Sequence, residues 1–171
     1  MKKILRSLVL SLVLLFVGII SLTSCGESEQ LKSAVVEKLK EEYYIDEDEH
    51  TRSIREAYVA YVEKLFGLFG FENAAERAQT ILRMETRLAK AAYSNVELRD
   101  PIQNYNKMSI NELQTLVPQV NWKEYFAALG VELDSLSIGQ IPHLQEAGKM
   151  LEDEPLEDLK TLFAWQVIEG A

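Results

Sequence analysis

A single cysteine, Cys25, stands among 171 residues, so no disulfide can close within the chain. Histidine is almost as scarce, with only His50 and His143. Two histidines one helical turn apart would bind zinc on one helix face, and no such pair is written here. Clusters of Lys and Arg are also missing. Lys+Arg number 18 against Asp+Glu 27, a formal charge of -9. Lys2, Lys3 and Arg6 fall in the first 24 residues, which hold no acid, so residues 25–171 carry -12, three charges more negative than the whole. So acidic a chain repels phosphate backbones, which argues against a nucleic-acid partner. No Gly-rich phosphate loop, Ser/His/Asp set, thiol nucleophile, internal repeat or low-complexity segment stands out. With four Pro and eight Gly, long stretches are left free for helix. The 47% hydrophobic content suits one folded domain.

The N-terminus reads as an address. Lys2, Lys3 and Arg6 precede an apolar run from Leu8 to Leu22. That run, about 15 residues, is shorter than the roughly 20 that span a bilayer as a helix. It fits a signal-peptide core over residues 1–24. Leu22-Thr23-Ser24-Cys25 resembles the lipoprotein box, in which the cysteine is acylated after cleavage. Several acyl chains anchor where one binds only marginally. Cys25 is therefore the expected lipidation site, and the bacterial cell envelope the expected location. Gly26 carries no acid in the next position, which points to the outer membrane. An ordinary export signal with a chance cysteine is the competing reading.

Residues 25–42 are expected to be a tether or a short helix, with Leu31, Val35, Leu39 and Tyr43 as a stripe. Asp46, Asp48 and His50 hint at a calcium loop, but Thr51 stands where such a loop needs Gly and Ala57 where it needs Glu. The acids fit a helix start instead. A helix is expected over residues 52–69, with Tyr58, Tyr61, Val62, Leu65 and Phe69 as its face and Gly70 as its cap. A second runs over 74–93, its face Ala78, Ile81, Leu82, Leu88, Ala89 and Ala92. Glu85 lies at or beside that face, and a half-buried carboxylate needs a partner, for which Arg99 or another cation is the expectation. Residues 94–108 form a connector without periodicity. Its Arg99, Asp100, Pro101, Tyr105 and Asn106 are expected to hold it in one shape rather than to do chemistry.

Ser109-Ile110-Asn111-Glu112 spells a capping box for a short helix ending near Val117. Asn121 is set to cap the next, with Trp122, Tyr125, Phe126 and Leu129 inward and Gly130 closing it. Residues 131–139 read as extended chain or at most one short strand. Pro142 opens a helix through about Glu152, and Pro155 the last one, faced by Leu156, Leu159, Leu162, Phe163 and Val167.

The order L-A-K-A, L-R-D-P-x-x-x-Y-N-K-M, E-L, P and W-x-x-Y-F across residues 84–126 resembles the N-terminal part of the neprilysin family of zinc metalloendopeptidases. Its bacterial endopeptidase O members are the nearest in kind. G-Q-I-P-H-L and P-L-E-D-L-K-T-L-F-A-W extend the resemblance to Trp165, covering residues 43–165. It implies an all-α, multi-helix bundle over residues 43–171, part of the helical domain that limits access to an enclosed catalytic cavity. The family's zinc site needs H-E-x-x-H, a downstream glutamate and an N-A-x-Y strand, none of which occurs here. No catalytic or metal-ligating residue is therefore assigned. Zinc belongs to the complete family enzyme, and peptide substrates require the zinc domain. This chain is expected to be a truncated N-terminal portion, inactive alone, with a separate or missing catalytic domain as partner besides the membrane. The alternative is a stand-alone lipoprotein that kept the domain as an interaction module.

Overall fold

The computed structural model describes residues 41–170, with side chains from Tyr43. The signal segment, Cys25 and the Leu31, Val35 and Leu39 stripe lie outside them. Seven α-helices and one two-stranded sheet make up the described residues. The class is the all-α one expected.

Helix α1 (Glu41–Ile45) leads into α2 (Glu49–Leu68). Asp48 starts α2, its side chain accepting the Thr51 amide at 3.0 Å, a few residues before the expected start. At the other end Gly70 takes φ 78°. Phe71 N–H then donates to Phe66 O at 3.0 Å and Gly70 N–H to Gly67 O at 3.1 Å. The Phe66 and Phe71 rings meet at 5.3 Å, completing a Schellman closure. Helix α3 (Ala74–Ala89) ends before the expected Tyr93. The N–H groups of Ala91 and Ala92 bond three residues back, to Leu88 and Ala89, and this tightening stops the helix.

Strand β1 (Asn106–Ser109) runs into α4 (Ile110–Leu116), then α5 (Trp122–Ala128) and β2 (Ser135–Ile138). β1 and β2 are antiparallel, Asn106 opposite Ile138 and Ser109 opposite Ser135. Thus the stretch expected to be connector supplies a strand, and the sheet has two strands rather than at most one. The capping box forms as spelled: Ser109 Oγ accepts the Glu112 amide at 3.2 Å, and Glu112 Oε2 accepts the Ser109 amide at 2.7 Å. Asn121 Oδ1 accepts the Glu124 amide. Helices α6 (Ile141–Asp153, with Pro142 in its first turn) and α7 (Leu156–Glu169) complete the chain.

Two apolar cores result. One joins Val62 and Phe66 of α2, Ala78, Ile81, Met84 and Leu88 of α3, Met150 of α6, and Leu159, Leu162, Trp165 and Ile168 of α7. The other joins Ile110, Leu113, Val117, Val120, Trp122, Tyr125, Ile138 and Leu144. Helix α6 serves both. Three expected faces are corrected, the least of them at the end of α5, where Leu129 is exposed. In α2, Phe66 is the buried ring and Phe69 is exposed. In α7, Leu156 and Val167 are exposed, while Trp165 and Ile168 are buried. Apolar residues fall on more than one side of helix α7, so its periodicity also admitted a stripe through Leu156, Phe163 and Val167. Packing on α3 and α2 selects the four residues 159, 162, 165 and 168, spaced three apart.

Candidate functional site

The connector after α3 is built by its own polar groups. Tyr93 N–H donates to Gln140 Oε1 at 2.8 Å, pinning its start. The Ser94 amide and hydroxyl donate to Glu97 Oε2 at 2.8 and 2.7 Å. Those bonds hold the Glu97 carboxyl below its ordinary range. A 3-10 turn, Glu97–Arg99, follows. Asp100 is extended (φ -82°, ψ 106°), as Pro101 requires of its predecessor. Its Oδ1 accepts the amides of Ile102 and Gln103 at 2.8 and 3.2 Å. Asn104 Nδ2 donates to the carbonyls of Glu97 and Asp100, both at 2.8 Å. Asn106 Nδ2 donates to Gln103 O and, at 3.0 Å, to Ile138 O, which ties the loop to β2.

Among its exposed polar residues the loop also presents large apolar side chains to solvent. Ile102 is 85% exposed, Val96 77% and Tyr105 65%. Arg99 and Pro101 are exposed as well. Asp100 and Asn106 therefore shape the loop, while Arg99 and Tyr105 lie on its surface. Trp122 belongs to a different place, the second core, where its indole N–H donates to Val117 O at 3.0 Å.

Glu85 is half-buried on α3, and two tyrosines reach it. Tyr44 of α1 donates to Glu85 Oε2 at 2.9 Å and Tyr58 of α2 at 2.6 Å. These two phenols are partners the sequence reading did not name, and Arg99 is exposed on its turn. Burial, then the charge of Glu85, pushes both phenols well above their ordinary value, so they remain neutral donors. The Tyr58 ring meets Tyr44 at 6.3 Å and Trp165 at 6.2 Å, edge to face. Tyr58 read in sequence as a plain core group, and Tyr44 was placed on no face. The available signal was that a buried phenol needs an acceptor. Arg55 adds a further tie, its Nη1 donating to Tyr43 O and Asp46 O at the end of α1.

A second polar cluster joins α3 to α6 and α7. Arg87 meets Glu146 at 2.6 Å, Glu154 at 2.8 Å and Asp153 at 2.9 Å. Arg83 meets Glu154 at 2.8 Å and Asp158 at 2.7 Å. Burial opposes the charge of Arg87, but the three carboxylates outweigh it and hold its pKa above the ordinary value. The Arg87 bond in turn holds Glu146 below its ordinary range. Glu146, which shares a helix face with His143, is thus committed to an arginine. Among the described residues no group of three or more His, Cys, Asp or Glu can hold a metal ion. Zinc does not fit the side chains described here, and no catalytic step is built on it. Between the two cores lies an apolar cavity lined by Leu88, Val117, Trp122, Leu144, Gly148 and Leu162. It offers no polar group to orient a substrate. The polar clusters just described are structural ties: ion pairs, capping bonds and tyrosine–carboxylate bonds. What they build is a braced helical body with a shaped loop.

Comparison with known proteins gives this body its relatives. The family model described as peptidase family M13 matches residues 29–171. Mouse endothelin-converting enzyme-like 1 is 27% identical over 131 residues, 73% of this chain and 17% of the mouse protein. A locust (Locusta migratoria) endothelin-converting enzyme homolog is 33% identical over 73 residues, 42% of this chain and 10% of its own. Among solved structures, Mycobacterium tuberculosis zinc metalloprotease ZMP1 in its open state is similar with a TM-score of 0.69 and 27% identity. That match covers 78% of this chain and 21% of the metalloprotease. The chain spans about a fifth of the length of such relatives.

Proposed function

The chain belongs to peptidase family M13, and from that premise we propose that it forms part of the helical wall of a neprilysin-like zinc metalloendopeptidase. In this reading the helices restrict which peptides reach a zinc centre. The histidine pair that binds the zinc is supplied by residues other than these 171. The loop of residues 94–105 carries the proposal. Its side-chain amides and carboxylates are used on its own backbone, and it presents Val96, Ile102 and Tyr105 to solvent. Rigid, exposed apolar surface of this kind marks an interaction site. Cys25 would carry the lipid that holds the protein at the bacterial envelope, in the outer membrane. Peptide substrates and proteolysis belong to the assembled enzyme.

A stand-alone interaction module on a lipid anchor is the second reading, favoured by the ion-pair bracing of α3 against α6 and α7, which leaves the bundle well tied without further chain. Purified residues 26–171 separate the two. A part of a larger wall binds a hydrophobic dye strongly and self-associates as its concentration rises. A self-contained module stays monomeric and leaves the dye dark, an outcome that would count against the wall.

A further inference from the structure

We propose that the outer edge of strand β2 is a docking site for an extended peptide segment, which adds to the sheet as a third strand. The inference goes beyond the wall reading: it depends on the sheet edge alone and stands or falls separately.

The register fixes which groups the edge offers. Met108 lies opposite Leu136, and Ser109 opposite Ser135. Ile110 N–H donates to Asp134 O at 3.3 Å, one step past that last pair. Along an antiparallel ladder, backbone groups turned to the partner strand alternate with groups turned away. Counting back from Ile110 and Asp134 turns Asn106, Met108, Leu136 and Ile138 into the ladder. Lys107, Ser109, Ser135 and Ser137 are turned away from it. The β1 edge is used or guarded: Ser109 N–H donates to Glu112 Oε2 at 2.7 Å, and Lys107 is a charged residue of the kind that keeps edges apart. On the β2 edge no loop or helix of the described residues takes up the N–H and C=O groups of Ser135 and Ser137, and both residues are exposed. Their side chains are small and uncharged, so another backbone can approach closely. Leu136 and Ile138 hold the strand against the second core, so the edge is in place before anything binds.

That pattern identifies the occupant. N–H and C=O groups repeating at every second residue are matched by an extended backbone, and not by a helix, whose own groups are used internally. Bilayer hydrocarbon has no hydrogen-bonding group to offer. A second copy would set two chains of formal charge -9 side by side. A peptide also finds room for a side chain: a groove lined by Ile110, Phe126, Val131 and Leu133 reaches Asp134, the residue before β2. Strand β2 is four residues long, so the bonds are few and the binding is weak and reversible.

The test uses isotope-labelled residues 26–171 and the peptide acetyl-Lys-Val-Thr-Val-Thr-Val-Lys-amide, N-methylated at alternate amides along one edge so that it cannot stack on itself. Before peptide is added, amide exchange read by NMR is expected to be fast at Ser135 and Ser137 and slow at Met108 and Leu136. At saturation the two serine amides slow tenfold or more. A fully N-methylated peptide of equal charge leaves them unchanged. Ser137→Pro removes an outward donor and no ladder bond, and is expected to weaken binding tenfold or more with Met108 and Leu136 still protected. Ser137→Ala keeps the backbone and binds as the unaltered chain does. Serine amides protected without peptide, no slowing on its addition, equal binding by Ser137→Pro, or binding of the fully methylated peptide each overturn the proposal. The methylated-peptide comparison decides the matter if the proline variant loses its ladder. Serine protection that grows with protein concentration alone assigns the edge to a second copy and overturns the peptide. None of these outcomes bears on the wall, which the dye and self-association measurement decides.

Discussion

Glu85 joins three helices through one carboxylate oxygen, which accepts from Tyr44 on α1 and Tyr58 on α2. Tyr58→Phe removes one donor while keeping the ring against Trp165. A stability loss of about 1 kcal/mol is expected, more if the carboxylate cannot recruit water. Urea unfolding checks it: the midpoint drops and the slope stays constant. Gly148 gives a sharper test. A Cβ there would lie 2.5 Å from Val117 Cγ1 and 2.9 Å from Gln119 Oε1. The glutamine end can swing away, but Val117 is buried and β-branched. Gly148→Ala is expected to cost about 1–3 kcal/mol through overpacking. Adding Val117→Ala should return part of that loss, which thermal melts of the single and double variants would reveal. At this scale the sequence indicated that Glu85 needs company. It could not name the company, because Tyr44 and Tyr58 come from two other helices, Tyr58 read simply as apolar spacing and Tyr44 was placed on no face. Gly148 drew no notice in the sequence, and its close approach to Val117 shows only in the packing.

Caps set the elements, and three of their carboxylates share one response to acid with Glu146 of the ion-pair cluster. Asp48, Glu97 and Glu112 are held below their ordinary range by hydrogen bonds from Thr51, Ser94 and Ser109, and Glu146 by Arg87. A depressed folded-state pKa contributes stability that is complete above the ordinary carboxylate value and is lost as pH falls through the lower one. Melting temperatures should therefore change little between pH 7 and pH 5 on this account and fall toward pH 3. A melting temperature rising on acidification would contradict it. Ser109→Ala removes the acceptor for the Glu112 amide and should cost about 1 kcal/mol, felt first as faster amide exchange in α4. Caps were readable because they are local: S-x-x-E within four residues, Asn121 before Trp122, Pro142 at a helix start. Strand β1 was not. Its N-K-M-S letters carry no alternation, and its partner β2 lies beyond two intervening helices. The inward face of α7 was hidden for the opposite reason, since Leu156, Phe163 and Val167 made an equally good stripe.

The whole molecule is two cores on one shared helix, braced on the side of α3 by Arg83 and Arg87. Glu154, with its side chain 6% exposed, sits between both guanidinium groups. Arg87→Met leaves Glu154 to Arg83 alone and Glu146 to Lys149 alone, and releases Asp153. A loss of about 2–3 kcal/mol is expected, toward the lower end of what breaking a buried pair costs because Arg87 is itself partly exposed. Differential scanning calorimetry in low and high salt would show a lower transition that salt does not restore. This bracing was illegible in the sequence: arginines four apart on a polar helix face look solvated, and their partners lie 59 to 75 residues away. The family and the helical class were legible, because spaced motifs and apolar periodicity survive without tertiary context. The loop's exposed apolar side chains were not, since Asp100 and Asn106 announced a shaped connector but not which side chains it would expose.

The central claim is that these residues build the wall of a metallopeptidase and not its catalytic centre. Hydrolysis of a quenched fluorescent peptide with an apolar residue at its centre, by purified residues 26–171 with added zinc, tests it most directly. The expected result is a rate equal to buffer at every zinc concentration, with no zinc retained after dialysis. Cleavage that rises with zinc and stops with a chelator would contradict the claim and place a metal site within this chain.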